Sequence, residues 1–234
     1  MSAKVCLVTG VGPGTGAAIA RRFAGEGGYR VAMLARDEDR LTALEQEIEG
    51  TTAYGCDVSR EDALPETLER VRAELGTPTV VVHNAVGGGF GDFLAIDPEV
   101  LRRNFEVNVM ALLNLARMTA PAMVDAGGGA LVCTGNTSAH RGKANFASFA
   151  PSKAAQRILA ESMARTLGPQ GVHVAYITID AVIDLAWTSK RMPDAPDDFF
   201  IRPSDIADEC YHVAHQPRSA WSFDVELRPH RESW

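Results

Sequence analysis

The stretch from Val5 to Gly16, VCLVTGVGPGTG, decides how the rest of the chain is read. Val5, Leu7 and Val8 make a short apolar run with no polar break, as a strand covered on both faces would. Gly10, Gly12, Gly14 and Gly16 then turn the chain, and Ala17 to Phe23 (AAIARRF) continues with helical character. A strand, a tight glycine turn and a helix start form a cradle for an anion. Backbone N–H groups and the positive end of the helix dipole point at one spot, and glycines let a pyrophosphate come close. The buried strand just before the turn favours nucleotide binding over a loop that merely reverses the chain.

Outward from this stretch, apolar runs alternate with helical patterns. Tyr29–Ala35, Thr52–Val58, Pro78–Ala85, Ala130–Thr134, His173–Ile179 and Ser222–Leu227 read as further strands. Asp37–Ile48, Glu61–Leu75, Val100–Asp125 and the segment from Lys153 to Leu167 read as helices, and Pro203-Ser204-Asp205-Ile206-Ala207 opens another. This alternation predicts an α/β fold: one Rossmann-type domain over residues 1–234, with a doubly wound parallel sheet of about seven strands and helices on both faces. The expected strand order is 3-2-1-4-5-6-7, with ligand at the carboxyl ends of strands one, four, five and six.

The bulk numbers narrow the function. A net charge of -7 with no Lys/Arg cluster argues against a nucleic-acid partner. No segment approaches the ~18 apolar residues of a membrane span, and MSAKVCL is not a signal peptide. Cys6, Cys56, Cys133 and Cys210 are widely spaced, with no C-x-x-C, so buried free thiols in a reducing cytoplasm are expected, and no metal site.

Thr9, Gly10, Gly14 and Gly16, with Thr15 between the last two, give T-G-x-x-x-G-x-G, which resembles the cofactor motif of the short-chain dehydrogenases/reductases. The resemblance runs along nearly the whole chain. It implies a small-molecule substrate, a nicotinamide cofactor and assembly as a homodimer or homotetramer, with Trp221, Phe223 and Trp234 near a buried or subunit-contacting terminus. Arg36 follows the second strand, 20 residues beyond Gly16, where a dinucleotide fold places the adenosine ribose. An acid there suits NAD and a cation the 2′-phosphate of NADP, so NADP is favoured, with NAD possible; a solvated arginine opening the next helix is the rival. Asp57-Val58 is similar to the family's adenine-contacting pair, although Asp57 as a helix N-cap fits the sequence nearly as well. Asn84 and Ala85 match the family's Asn-Asn-Ala-Gly; His83 and Val86 do not. Gly87-Gly88-Gly89 follows, as backbone close to a ligand or as a mobile loop. Asn108 matches a helix-bending asparagine that supports a proton-relay water beside the active-site lysine.

The family's catalytic set is a tyrosine four residues before that lysine and a serine about thirteen residues upstream of the tyrosine. Residues i and i+4 share a helix face. Lys153 is in place, but Phe149 stands where the tyrosine would be, and Asn136 where the serine would be, with Thr137 and Ser138 next to it. A phenyl ring has no titratable proton. General acid–base help is worth about 10²–10⁴ in rate, roughly 3–5 kcal/mol. Holding donor and acceptor in line supplies about 7–11 kcal/mol without any acid. The positioning effect is the larger, so an oxidoreductase acting on a substrate that needs little proton help is expected, the alternative being an NADP(H)-binding protein without redox turnover, a sensor or a non-redox catalyst on the same scaffold. Asn136 can orient a substrate carbonyl. His140, in the loop after strand five, and Asp180, at the end of strand six, are the candidate replacement acids. Asp184 lies nearby, and N-capping is the rival role of both carboxylates. By resemblance, the Ile183 backbone meets the nicotinamide carboxamide, and Trp187 to Phe200 is a lid or specificity loop.

Overall fold

In the computed structural model, which describes residues 4–231, β1 (Val5–Thr9) is an inner strand of a seven-stranded sheet, between the second and fourth strands of the chain. Every strand pairing is parallel, and the order is β3-β2-β1-β4-β5-β6-β7, as the alternation predicts. The other strands are β2 (Arg30–Ala35), β3 (Thr51–Gly55), β4 (Pro78–His83), β5 (Gly129–Asn136), β6 (Val172–Ile179) and β7 (Asp224–Leu227). All five residues of β1 and all eight of β6 are buried, which explains why their sequences are apolar runs rather than alternations.

Two helical layers cover the sheet. α1 (Thr15–Ala24), α2 (Glu38–Glu47) and α8 (Pro203–Ala214) bury Ile19, Phe23, Leu41, Ile206 and Val213 against Val8, Met33, Val82 and Ile177. The opposite face holds α3 (Ala63–Glu74), α5 (Ala111–Asp125) and α6 (Ala150–Leu167), whose Leu68, Leu115 and Ala160 lie over Leu7, Leu34, Leu131 and Tyr176. At roughly 1.5–3 kcal/mol for each large apolar side chain fully buried, these two layers are the main force holding the sheet in register.

α4 (Pro98–Phe105), a π-helical turn (Glu106–Met110) and α5 form one rod of 28 residues. By length and composition alone it is apolar enough to cross a membrane, more than its sequence suggested. Leu112, Leu115, Ala116 and Met123 are instead buried against the sheet, so its apolar stripe belongs to the core. The π turn is centred on Asn108, and such insertions in a helix often mark functional positions.

Several boundaries shift. β3 ends at Gly55, so Asp57 and Val58 lie in the turn beyond it. Asp57 caps that turn by accepting from the Ser59 N–H and hydroxyl, and α3 starts after Asp62, so Asp57 is not a helix N-cap. Asp180 and Asp184 do not cap either: α7 (Ala186–Arg191) begins behind Leu185 and is closed by Thr188. All four cysteines are buried and free. Trp221 is half-buried and stacks on His173 with centroids 4.7 Å apart, Arg157 sits 5.5 Å over the Phe223 ring, and Trp234 lies outside the described residues.

Candidate active site

The turn after β1 is built by close backbone approach. Gly10 has φ +70°, and a Cβ there would run into the Ala85 backbone. A Cβ at Gly16 would stand 2.6 Å from the Gly10 carbonyl oxygen, whereas Gly12 faces open space. Asn84 locks the turn, donating from Nδ2 to the Gly10 carbonyl at 2.9 Å and accepting at Oδ1 from the Thr134 hydroxyl at 3.0 Å. Thr9 is buried beneath, where its Oγ1 accepts from the Ala85 N–H and meets His83 Nδ1 at 3.1 Å. Burial and then the Lys153 charge push the His83 pKa down to about 3, so this ring is a neutral structural group.

Above the turn lies a cleft of about 1480 Å³ at the carboxyl ends of the strands. It collects Gly10, Gly14, Thr15, Gly16, Arg36, Asp57, Val58, Asn84, Ala85, Asn136, Lys153 and Ile183 on its walls. Thr9 and Asn108 stand behind those walls and hold them in shape. α1 points its N-terminus into the cleft with no side-chain cap and no acid in its first turn. Its free N–H groups and dipole are therefore left for an anion.

The far end carries the charged groups. Asp37, next to Arg36, is occupied elsewhere: its carboxylate accepts from the Arg40 N–H at 3.0 Å and pairs with the Arg40 guanidinium at 2.9 Å. Arg36 is exposed on the cleft and forms no ion pair among the described residues. Burial opposes ionisation of Asp57, but the Ser59 hydrogen bonds, Arg36 and Arg103 outweigh it and hold the carboxyl below its ordinary value. Arg103, from α4, also lines the cleft, so two guanidiniums stand about one carboxylate at this end. These groups suit a dinucleotide: N–H groups for a pyrophosphate, Asp57 for an adenine amino group and a cation for a further phosphate.

At the other end is Lys153, 2% exposed. Its ammonium donates to the Thr134 carbonyl at 3.2 Å and to Gln156 Oε1 at 2.5 Å, leaving one N–H for the cleft. Burial lowers its pKa to about 8, with Cys133 pulling weakly the other way. The Asn108 side chain is spent within the fold: Nδ2 donates to Gly87 O and Ser152 Oγ, and Oδ1 accepts from Gly87 N–H. Its backbone carbonyl accepts from Gln156 Nε2 at 2.7 Å. Asn136 lines the cleft with Oδ1 spent on the Ser138 N–H, which leaves Nδ2 as the part of its amide that can donate. Phe149, 8% exposed, packs one turn before Lys153 with its ring edge toward Gly88 on the cleft wall.

The two candidate replacement acids do not reach this end. His140 Nε2 meets the Thr178 hydroxyl at 3.2 Å and stands 3.8 Å from Asp224, beside β6 and β7. Asp180 accepts from Arg228 at 3.1 Å and Arg141 at 3.5 Å, an ion-pair cluster behind the cleft. Asp180 follows the end of β6 and His140 the turn after β5, and neither lines the cleft. None of the four tyrosines lines the cleft among the described residues, so no phenol from elsewhere fills the place beside Lys153. Tyr176 comes nearest, but its ring is wedged under Gly135 and fully buried, and desolvation drives its pKa far up.

Ile183 lines the cleft through a one-residue bridge to Ile201, in which the Val182 carbonyl and the Asp184 N–H bond to Ile201. Trp187 to Phe200 holds most of α7 and a 3₁₀ turn (Asp197–Phe199), and within it Trp187 alone lines the cleft among the described residues. Just before it, Leu185 lines the cleft and packs on Gly14. The sequence reading missed Gln156, Asn104 and Ser148. Asn104 Nδ2 donates to the Ser148 carbonyl at 2.6 Å and the Ser148 hydroxyl to Gly89 O at 2.8 Å, which pins the triple-glycine stretch. The signal was present: Phe149, Lys153, Gln156 and Ala160 follow helical spacing, so a glutamine on that stripe is a buried one.

The family described as short chain dehydrogenase matches residues 4–188. A 7alpha-hydroxysteroid dehydrogenase of Escherichia coli K12 is 29% identical over 233 residues, covering 94% of this chain and 90% of its own. A cyclic-di-GMP-binding biofilm dispersal mediator protein of the same organism is 31% identical over 172 residues, 73% of this chain and 70% of its own. Among solved structures, a metagenomic short-chain oxidoreductase in complex with NADP superposes with a TM-score of 0.84 at 31% identity, covering 98% of both chains.

Proposed function

The chain belongs to the short-chain dehydrogenase/reductase family, and from that premise we propose that it is an NADP-dependent oxidoreductase. Its reaction is hydride transfer to or from an apolar small molecule bearing a carbonyl, an imine or an activated double bond, with no tyrosine acid. The carrying observation is one cleft that holds the uncapped α1 terminus, the ion-pair-free Arg36 and the buried Lys153 along its length. The NADP-bound metagenomic relative supports the choice of cofactor.

Bound NADPH supplies the hydride. The α1 N-terminus takes the pyrophosphate, Arg36 the 2′-phosphate, Asp57 the adenine amino group, and the remaining Lys153 N–H the nicotinamide ribose. The Ile183 backbone would meet the carboxamide, and Asn136 Nδ2 would donate to the substrate oxygen and orient it. Phe149 fills volume and carries no proton. A proton needed by the product comes from solvent: His140 and Asp180 are engaged outside the cleft, and Asp184, on the cleft wall, already accepts from the Ser189 hydroxyl at 3.2 Å. Val86, Val100 and Trp187 on the cleft wall, with Phe90 and Phe93 close by in sequence, are exposed apolar side chains that favour a bulky apolar substrate. The reading includes a reducing cytoplasm, consistent with four buried free thiols, and a homodimer or homotetramer, which light scattering would measure.

A second reading is a cofactor-binding protein without redox turnover. Phe149 favours it, as does similarity to a relative named for binding a cyclic dinucleotide. Calorimetry with NADPH, followed by NADPH absorbance with a panel of apolar ketones, imines and activated alkenes, separates the two. Binding with oxidation supports the oxidoreductase, binding without oxidation across the panel supports the second reading, and no binding removes both.

A further inference from the structure

Gln156 belongs to neither the glycine turn nor any expected catalytic position, yet it is fully buried and makes two short hydrogen bonds. Its orientation is fixed by chemistry. Lys153 can only donate, so the atom 2.5 Å from Nζ is the amide oxygen; the Asn108 carbonyl can only accept, so the atom 2.7 Å away is the amide nitrogen. The acceptor carbonyl lies in the π-helical turn, where the wider winding takes Asn108 out of the regular α-helical ladder. A continuous line thus runs from the long rod through Gln156 to the ammonium at the end of the cleft. A side-chain amide occupies the place between Lys153 and Asn108 O where a relay water was expected, and an amide held by both ends passes no proton along.

We propose that Gln156 is a positioning residue that fixes Lys153 as a static cation in the cleft and closes the route by which water would connect that lysine to Asn108. The inference rests on the reading of the cleft as an NADP seat, because the fixed ammonium is what that seat presents to the nicotinamide ribose. The titratable groups that face Lys153 are Cys133 on β5 and His83 on β4. Burial holds both neutral, the thiol pushed up to about 12 and the imidazole down to about 3. Neither supplies a counter-charge, so the Gln156 carbonyl and the Thr134 carbonyl are what offset the buried charge.

The test reads the lysine itself. The chain has four lysines, so an NMR titration of protein carrying ¹³C-labelled lysine resolves Lys153 without any ligand. An acceptor bond to the charged form favours it, so Gln156→Leu is expected to lower the Lys153 pKa and Gln156→Glu to raise it, each by about one unit. The NADPH dissociation constant, followed with pH, is expected to rise as pH climbs through the Lys153 pKa, and that break moves down in Gln156→Leu and up in Gln156→Glu. A purely structural glutamine would alter stability and leave both titrations in place; unmoved Lys153 titrations in two folded variants would overturn the proposal. Shifted lysine titrations in a protein that binds NADPH but oxidises none would keep Gln156 in its role and remove the redox reading alone.

Discussion

Phe149→Tyr returns a phenol to the position one helical turn before Lys153. The Phe149 ring is 8% exposed and its edge faces Gly88 on the cleft wall, so a hydroxyl added there has open cleft nearby rather than packed core. A hydroxyl buried without a partner would cost about 1–3 kcal/mol. The free Lys153 N–H and solvent in the cleft offset part of this, so a stability loss of about 1 kcal/mol or less is expected. A full general acid is worth about 10²–10⁴ in rate. Asn136 rather than serine orients the oxygen here, and Gln156 keeps Lys153 fixed, so the gain falls at or below the bottom of that range: kcat/KM for an apolar ketone is expected to rise about 10–100-fold, roughly 1.4–2.7 kcal/mol. The gain should be confined to carbonyls and absent for protonated imines. The assay is steady-state NADPH oxidation for both proteins, beside calorimetric NADPH affinity, which should stay within about threefold because the substitution adds no contact to the phosphates. A folded, NADPH-binding Phe149→Tyr with unchanged ketone turnover would refute the view that the missing phenol limits the reaction.

Three other outcomes follow from the same geometry. Arg36→Asp removes an exposed charge-assisted phosphate contact and adds repulsion, so the NADPH-over-NADH preference should fall about 10–100-fold in a fluorescence titration; an unchanged ratio would exclude Arg36 from the seat. Gly10→Ala places a side chain at φ +70° against the Ala85 backbone, so thermal denaturation should show a loss of about 2 kcal/mol or more, together with lost NADPH binding. His140→Gln should leave kcat within about twofold, since the ring stands by Thr178 and Asp224 outside the cleft; a drop of tenfold or more would restore it as the acid.

The fold was legible because both faces of the sheet are covered: buried parallel strands such as β1 and β6 must be written as apolar runs, and the helices between them must be amphipathic. The glycine turn was legible for a steric reason, since Gly10 and Gly16 have no room for a side chain. What a residue does at a strand end was not legible. Asp180 and His140 are near the cleft in sequence, but the deciding partners, Arg228 and Asp224, come from the last strand and the residue after it. Asp57 was ambiguous because a short carboxylate can cap its own turn as readily as a helix, and Ser59 decided the matter. Gln156 was overlooked because a glutamine in a helix is read as solvated, and only its place on the Lys153 stripe shows otherwise.

The central claim is that hydride moves in this cleft although no side chain beside Lys153 gives up a proton. Its most direct test is a single-turnover mixture of the protein, NADPH deuterated at the transferred position and an apolar acceptor, followed by absorbance and by mass spectrometry of the product. Deuterium in the product and a primary isotope effect on the NADPH decay are the expected result. NADPH that is bound tightly but stays reduced, with an unlabelled acceptor, would contradict it.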